Sequence, residues 1–251
     1  MTMLTIENLQ KRFGGLTVTD RLSLSLVPGE LHALIGPNGA GKTTLINQLA
    51  GEIAPSAGRI LFDGVDITHL PPWRRSLLGL GRSFQISSVF ADFTALENVV
   101  LAVQAQQGHS FRFWRAADSY QPVVARARQA LNDAGLAAMA DEPVARLSHG
   151  EMRQLEMAMT LSGEPRLLLL DEPMAGMSPS DSHKVIAVLR GLKGRYTTVL
   201  VEHDMDAVFA LADRISVLFY GKILVTGTVE EIRSNPVVRD AYLGHDARST
   251  S

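Results

Sequence analysis

A glycine-rich loop at residues 36–44 limits what this chain can fold into more than any other feature of its sequence. The loop reads Gly-Pro-Asn-Gly-Ala-Gly-Lys-Thr-Thr and matches the phosphate-loop pattern of Gly, four residues, Gly-Lys and Ser or Thr. The apolar run before it, Leu31–Ile35, predicts a buried strand, and residues 43–50 after it have a helical period. The pattern therefore stands between a strand and a helix, as a phosphate-binding loop requires.

The residue types in this loop suit a polyphosphate. Gly36, Gly39 and Gly41 let the backbone come close to the ligand, so that successive N–H groups point at it. The helix that follows directs its positive end at the same phosphates. Lys42 is predicted to reach the β- and γ-phosphates, and Thr43 to offer its hydroxyl to Mg²⁺. The predicted ATP-binding residues of the loop are Gly36, Pro37, Asn38, Gly39, Ala40, Gly41, Lys42, Thr43 and Thr44.

The bulk composition argues against several other classes of protein. A chain of 251 residues can bury one large core, or a core with a subdomain. The formal net charge of −2 argues against general attraction to nucleic acid, and no cysteine is present to form a disulfide or a thiolate metal site. No signal peptide is predicted, and no run reaches about 18 apolar residues. We expect a protein that is soluble by itself and meets a membrane only through a partner.

Two kinds of strand are predicted. Residues 3–9 and 22–26 alternate apolar and polar side chains, which is typical of a half-exposed antiparallel layer. Residues 31–35, 166–171 and 197–202 are continuous apolar runs, which is typical of central parallel strands covered on both faces. The predicted fold class is α/β, with a phosphate-loop NTPase (RecA-like) core, an antiparallel β layer and an inserted α-helical subdomain.

Helical periods replace the strand patterns between residues 87 and 164. They dominate residues 94–106, 121–139 and 148–161. This stretch is interpreted as the inserted helical subdomain, and the alternative is the helical flank of one larger sheet domain. The predicted organisation is one domain over residues 1–251, with a nucleotide-binding core at 1–86 and 165–244, a helical subdomain at 87–164 and a flexible tail at 245–251.

Two carboxylates follow the apolar run that ends at residue 170. A buried strand that ends in Asp171 and Glu172 places both at the edge of a sheet, where phosphate loops also lie. Asp171 is predicted to hold Mg²⁺, and Glu172 to orient or deprotonate the water that attacks the γ-phosphate. Asp-Glu is also a common exit from a strand into a turn, and it is the phosphate loop upstream that favours the functional interpretation.

The segment Leu147-Ser-His-Gly-Glu151 carries the third pattern. Ser148 with Glu151 three residues later is a capping box that opens a helix. The segment also resembles the signature motif of ATP-binding cassette (ABC) proteins, Leu-Ser-Gly-Gly-Gln. The two interpretations agree, because a capped helix N-terminus is an anion site, and the resemblance implies that it faces the γ-phosphate of ATP held by the opposite subunit. His149 and Glu151 depart from the family pattern: His149 could crowd or contact the ribose, and Glu151 adds negative charge near phosphate, which is tolerable if its carboxylate folds back onto the cap.

Further motifs of the ABC family follow in the expected order. The resemblance implies that Gln85 senses Mg²⁺ and water at the junction to the helical subdomain, and that His203 touches the γ-phosphate. Phe13 stands where a tyrosine of the family commonly stacks on adenine. Ser178 replaces the usual aspartate of the loop after Asp171-Glu172. The residues implied for catalysis are Glu172, His203 and Gln85; for the signature, Ser148, His149, Gly150 and Glu151; and for Mg²⁺, Thr43, Gln85 and Asp171.

Within the family, the chain is similar to the ATP-binding subunits of branched-chain amino acid uptake systems. The segments that carry this similarity are Phe13-Gly-Gly-Leu16, Gly81-Arg-Ser-Phe-Gln85, Ala175-Gly-Met-Ser178, Val201-Glu-His-Asp-Met205 and the Asn235-Pro and Tyr242-Leu-Gly244 ending. Urea, amide and aromatic-acid importers belong to the same subfamily, and Ser-His-Gly with Ala-Gly-Met-Ser resembles the urea branch. The function that the resemblance implies is an ATP-hydrolysing subunit of an importer of branched-chain amino acids, and the alternative is the same role for urea, amides or aromatic acids.

The resemblance implies a cytoplasmic ATPase that lies peripherally on the inner face of the cell membrane. Its implied cofactors are ATP and Mg²⁺. Its implied partners are transmembrane permease subunits, a second ATP-binding subunit in a homodimer or heterodimer, and indirectly a periplasmic or extracellular solute-binding protein, with no nucleic acid. A soluble ABC-type ATPase switch without a membrane partner is the alternative from a different class.

Overall fold

The computed structural model describes residues 2–82, 89–106 and 121–238. The chain divides into two compact units. Among the described residues, the first unit comprises 2–78, 167–172 and 193–238, and the second comprises 79–82, 89–106, 121–166 and 173–192. The elements in chain order are β1 (Leu4–Phe13), β2 (Leu16–Leu26), β3 (Leu31–Ile35), α1 (Lys42–Ala50), β4 (Ala57–Phe62), β5 (Val65–Asp66), α2 (Pro72–Leu77), β6 (Leu80–Arg82), α3 (Ala95–Gln106), α4 (Gln121–Asp133), α5 (His149–Leu161), β7 (Leu167–Asp171), α6 (Pro179–Leu192), β8 (Thr197–Val201), α7 (Met205–Leu211), β9 (Arg214–Phe219), β10 (Lys222–Gly227) and α8 (Val229–Ser234).

The first unit contains a mostly parallel sheet in the order β10-β9-β3-β8-β7. Strands β7, β8, β3 and β9 run parallel, and β10 pairs antiparallel with β9. Every residue of β3, β7 and β8 is buried, because helices cover central parallel strands on both faces. The prediction of central strands from continuous apolar runs is confirmed. Parallel neighbours end at the same edge of the sheet, so the loop after β3 and the carboxylates after β7 meet there.

The same unit contains an antiparallel layer in the order β2-β1-β4-β5. Strand β1 pairs antiparallel with both β2 and β4. Alternate residues of β1 near its start, Leu4 and Ile6, are buried, as the alternating pattern predicts. The predicted α/β fold class with an antiparallel layer is therefore confirmed.

A buried arginine joins the end of α1 to the following segment. Arg75 of α2 is 1% exposed, and its guanidinium group donates to the carbonyl oxygens of Gln48 and Leu49 (both 2.7 Å), Leu70 (2.8 Å) and Thr68 (3.0 Å). Gln48 and Leu49 lie in the last turn of α1, where carbonyls lack partners within the helix. Burial lowers the pKa of Arg75 to about 10. The planar guanidinium group carries several N–H donors in a fixed arrangement, so that one side chain can donate to all four carbonyl oxygens.

Replacing Arg75 by methionine is expected to lower the free energy of unfolding by roughly 2–4 kcal/mol, because several buried carbonyls lose their donors. Denaturant unfolding of the purified chain measures this change. Arg74→Met is the matched control, because Arg74 lies on the same helix but is exposed. Equal unfolding free energies for the two variants would show that the buried guanidinium contributes no stability.

The second unit is mainly helical. Helix α3 packs on α4 and α5, and α6 packs on the same two helices. Helix α6 buries Val185, Leu189 and Leu192. This division differs from the predicted boundaries, which placed residues 173–192 in the core because they lie between two core strands in the sequence. The apolar face of α6 accounts for the difference, since packing rather than chain order decides which unit a helix joins.

Helix α4 ends earlier than its pattern predicts. The helical period of the sequence predicted a helix over residues 121–139. Helix α4 ends at Asp133, however, and a short 3₁₀ turn follows at Ala137–Met139. Gly135 has a φ of 71°, and the N–H group of Leu136 donates to the carbonyl of Leu131 at 2.8 Å. A glycine in the left-handed region with such a bond is a common way to end a helix.

Two predictions concern residues outside the described ranges: the role of Gln85 and the flexible tail at 245–251. Among the residues that the structure describes, no helix has the length and apolar character needed to cross a membrane.

Candidate nucleotide-binding site

The loop between β3 and α1 packs closely against two neighbouring strands. A side chain at Gly36 would collide with the carbonyl oxygen of Leu218 in β9. A Cβ atom at Gly41, which has a φ of 104°, would lie 2.7 Å from the carbonyl oxygen of Val18 in β2. Both positions therefore require glycine for packing as well as for backbone conformation. Gly39 has open space around it, so its side of the loop is accessible to a ligand.

The loop opens onto a cleft of about 190 Å³. Lys42, Thr43 and Thr44, the first residues of α1, line this cleft, so the positive end of the helix is directed at it. The N-cap residue is Gly41, which carries no side chain to occupy the first N–H groups of the helix. The residues that line the cleft are Val18, Asn38, Gly39, Ala40, Gly41, Lys42, Thr43, Thr44, Glu172 and His203.

Lys42 is folded back onto the loop. Its side chain is largely buried, and its ammonium group donates to the carbonyl oxygens of Gly36 at 2.6 Å and Pro37 at 3.0 Å. Burial lowers the pKa of Lys42, and the negative charges of Glu172 and Asp171 oppose this shift. An anion in the cleft would favour the charged ammonium group, so the site suits a phosphate better than a neutral ligand.

Glu172 and His203 meet although they lie far apart in the sequence. They follow the neighbouring strands β7 and β8, and His203 Nε2 lies 2.7 Å from Glu172 Oε1. The backbone N–H of Glu172 donates to the carbonyl of Val201 at 2.9 Å, which fixes this residue with a φ of 51°. A glutamate in the left-handed region is uncommon and costs conformational energy. The contact therefore presents a carboxylate and an imidazole together to the cleft.

Asp171 is the last residue of β7 and is 6% exposed. It precedes Glu172, and its charge acts on Lys42. Thr43 is exposed at the start of α1. A hydroxyl oxygen and a carboxylate oxygen are ligands that Mg²⁺ prefers, so the donor types present fit this cation.

Val18 is a residue of the cleft that no sequence motif indicated. Gly221 bridges the strand of Val18, β2, and the loop with two hydrogen bonds. The N–H of Gly221 donates to the carbonyl of Ala40 at 3.0 Å, and the N–H of Asp20 donates to the carbonyl of Gly221 at 2.8 Å. These bonds join segments that are distant in the sequence. The alternation of side chains along β2 could have indicated which face of the strand carries Val18, but not that this face lies beside the loop at residues 36–44.

Phe13 lies at the end of β1 and is 49% exposed. The ammonium group of Lys11 lies 4.9 Å from the centre of its ring. Such a cation–π contact leaves a large part of the ring accessible. Phe13 does not line the cleft itself, but its exposed ring is suitable for stacking on a flat ligand.

The segment that resembles the ABC signature begins α5. The side chain of Ser148, the N-cap residue, accepts from the N–H of Glu151 at 3.3 Å, and Glu151 Oε2 accepts from the N–H of Ser148 at 2.8 Å. These bonds lower the pKa of Glu151. The predicted capping box is present, and the carboxylate of Glu151 folds back onto the cap. His149 is exposed, whereas Gly150 is buried.

The loop after Glu172 leads into α6. Ser178 Oγ donates to Asp181 Oδ2 at 2.8 Å and accepts from the N–H of Asp181 at 3.2 Å. Ser178 therefore caps the start of α6, a role in which serine is among the preferred residues. Its position in the loop matches the family's aspartate, but its contacts are with its own helix.

Comparison with known proteins adds a family relationship to this geometry. A family model described as ABC transporter matches residues 19–175. A second model, described as branched-chain amino acid ATP-binding cassette transporter, matches residues 222–248.

Individual relatives align over nearly the whole chain. The high-affinity branched-chain amino acid transport ATP-binding protein LivG of Escherichia coli (strain K12) is 37% identical, covering 96% of this chain and 98% of its own length. BraF of Pseudomonas aeruginosa, with the same description, is 36% identical with the same coverage. Among solved structures, the ADP conformation of MJ1267, an ATP-binding cassette of an ABC transporter, has a TM-score of 0.84 at 29% identity and covers 97% of this chain and 99% of its own.

Proposed function

This chain belongs to the ABC transporter family and is an ATP-binding ATPase subunit, and we propose that it powers the import of branched-chain amino acids. The observation that carries the substrate class is identity of 36–37% to relatives named for that transport, along almost the whole chain. The match of residues 222–248 to a model named for the same transporters supports it. The proposed place of action is the inner face of the cell membrane.

The proposed ATP site uses the loop and the two carboxylates after β7. Lys42 exchanges its bonds to loop carbonyls for bonds to the β- and γ-phosphates, which are stronger because both partners are charged. Thr43 and Asp171, together with Gln85, are the proposed ligands of Mg²⁺, which when bound neutralises charge on the phosphates. Glu172 accepts a proton from the attacking water, and His203, already 2.7 Å from Glu172, holds this carboxylate and meets the γ-phosphate.

The proposed active form is a dimer, either of two copies or with a second ATP-binding subunit. Ser148, His149, Gly150 and Glu151 of one subunit face the ATP bound by the other. The capped start of α5 supports this proposal, because the first N–H groups of a helix are suited to an anion. Closure of the dimer would drive the permease subunits between two states, and hydrolysis would reset it. A solute-binding protein would deliver the amino acid.

Replacing Phe13 by alanine is expected to weaken ATP binding roughly 5- to 100-fold, because stacking of a base on an aromatic ring contributes about 1–3 kcal/mol. Phe13→Trp, which keeps an aromatic face, is expected to bind ATP as well as the wild type. Calorimetric titration with ATP and with inorganic triphosphate separates adenine contacts from phosphate contacts. Equal loss for both ligands would contradict a stacking role.

Gentle extraction of this chain from its native membranes tests the proposed function. The expected result is co-purification with two hydrophobic permeases and a related second ATPase, and binding of leucine, isoleucine or valine by the associated solute-binding protein. If the binding protein instead selects urea, an amide or an aromatic acid, the proposed substrate is wrong, but the proposed role as the ATPase of an importer stands. Recovery of the chain alone in the soluble fraction, with its ATPase activity intact, would favour a soluble switch and overturn the proposal.

A further inference from the structure

Two carboxylates lie at the start of α5. In the proposed function, this is where the γ-phosphate of ATP bound by the other subunit lies. Glu151 folds onto the helix cap, as described above. Asp181 of α6 lies against the backbone of Gly150, since a Cβ atom at that glycine would be 2.8 Å from Asp181 Cγ and 2.9 Å from Asp181 Cβ. Hydrogen bonds lower the pKa of both carboxyl groups, so both are ionised at neutral pH. Two negative charges therefore stand where a third, on phosphate, must approach.

A lysine offsets this charge. Lys184 lies one turn after Asp181 on α6, and its ammonium group is 3.1 Å from Asp181 Oδ1. Its charge acts on Glu151 as well, in the sense opposite to that of Asp181. The arginines near the start of α5 are engaged elsewhere: Arg153 with Glu156 at 2.8 Å and Arg146 with Glu142 at 3.7 Å.

Formal charges show what Lys184 changes. Glu151, Asp181 and Lys184 together carry one net negative charge, which the positive end of α5, equivalent to about half an elementary charge, partly offsets. Without Lys184 the net charge of the cluster would be two negative charges. The family pattern that the segment resembles has an uncharged Gln at position 151, so the extra carboxylate of this chain is the one that requires compensation. As an exposed ion pair, Lys184 with Asp181 contributes little to folding.

We propose that Lys184 is the counter-charge that allows the start of α5 to accept phosphate despite Glu151, and that Asp181 positions it. This proposal rests on the proposed function, in which α5 meets ATP held by the other subunit. Lys184 acts through the local field and needs no contact with the nucleotide. Removing the negative charge of Glu151 should therefore compensate for the loss of Lys184.

The test is the ATP concentration that gives half-maximal dimer formation, measured by light scattering in chains that all carry Glu172→Gln to prevent hydrolysis. Adding Lys184→Gln is expected to raise this concentration roughly 3- to 10-fold at low salt, and less at high salt. Adding Glu151→Gln, which keeps an oxygen for the cap, is expected to lower it. The combination of Glu151→Gln with Lys184→Gln restores the original net charge. It is expected to return the half-maximal ATP concentration to within about 2-fold of that of the parent, the chain that carries Glu172→Gln alone.

Arg190→Gln is the matched control, because it removes the same charge farther along the same helix and is expected to leave the value unchanged. If the double variant stays as weak as Lys184→Gln alone, removing the charge of Glu151 does not compensate for the loss of Lys184, so Lys184 acts by direct contact or by structure, and the proposal is wrong. If Lys184→Gln has no effect in a parent that dimerises, the counter-charge role alone is overturned. If the parent shows no ATP-dependent dimer, either by itself or with the second ATPase that co-purifies with it, the proposed dimeric ATP site fails and this proposal with it.

Discussion

Lys42→Ala is expected to weaken ATP binding by at least about 100-fold. The ammonium group is largely buried beside the loop, and its interaction with phosphate in such a site is worth more than an interaction in open water. Alanine also removes the hydrogen bonds that the ammonium group donates to the carbonyl oxygens of Gly36 and Pro37. Titration with a slowly hydrolysed ATP analogue measures the loss.

Lys193→Ala is the control for this variant. Lys193 pairs with Asp213 at 2.8 Å and lies before the start of β8, at the end of the parallel sheet opposite the loop. It is expected to bind ATP as the wild type does. Wild-type affinity in Lys42→Ala would show that the loop at residues 36–44 does not hold the phosphates.

Glu172→Gln is expected to reduce ATP turnover by about 10²- to 10⁴-fold while ATP binding is retained. Glutamine has almost the same shape and can keep a contact with His203, but it cannot accept a proton from water. The bound ATP then persists, so a closed dimer accumulates. Phosphate release and ATP titration, carried out on the same preparation, separate the two effects.

Glu164→Gln provides the comparison for this second variant, because the carboxylate of Glu164 is 74% exposed and lies in the other unit. It is expected to hydrolyse ATP at the wild-type rate. Unchanged turnover in Glu172→Gln would exclude Glu172 as the base. Loss of ATP binding together with turnover would indicate that this carboxylate acts by holding the site in shape.

The main elements of the fold were predictable because their sequence signals are local. Continuous apolar runs predicted β3, β7 and β8, and alternation predicted the antiparallel layer around β1. The grouping of α6 with the helical unit was not predictable, since it depends on which surface receives Val185 and Leu189. Helix α7 was also missed, although Asp204, whose side chain accepts from the N–H groups of Asp206 and Ala207, was a readable N-cap signal.

The candidate site shows the same division between local and tertiary information. The loop and the pair Asp171-Glu172 could be predicted from spacing, because their chemistry requires particular residues close together in the sequence. The contact of His203 with Glu172 arises only when β7 and β8 pair in register. Val18 lines the cleft only because β2 lies beside the loop in the folded chain. Asp181 and Lys184 carry no motif, and the tight packing of Gly150 against Asp181 is what connects them to the start of α5.

The most direct test of the proposed import is uptake of labelled leucine by cells in which this chain is supplied either as the wild type or as Glu172→Gln, with both present at equal levels in the membrane fraction. We expect uptake with the wild type and little or none with the variant, because transport requires repeated hydrolysis. Leucine uptake that is equal with the variant, or absent with the wild type while its ATPase activity persists, would contradict the claim that this ATPase powers branched-chain amino acid import.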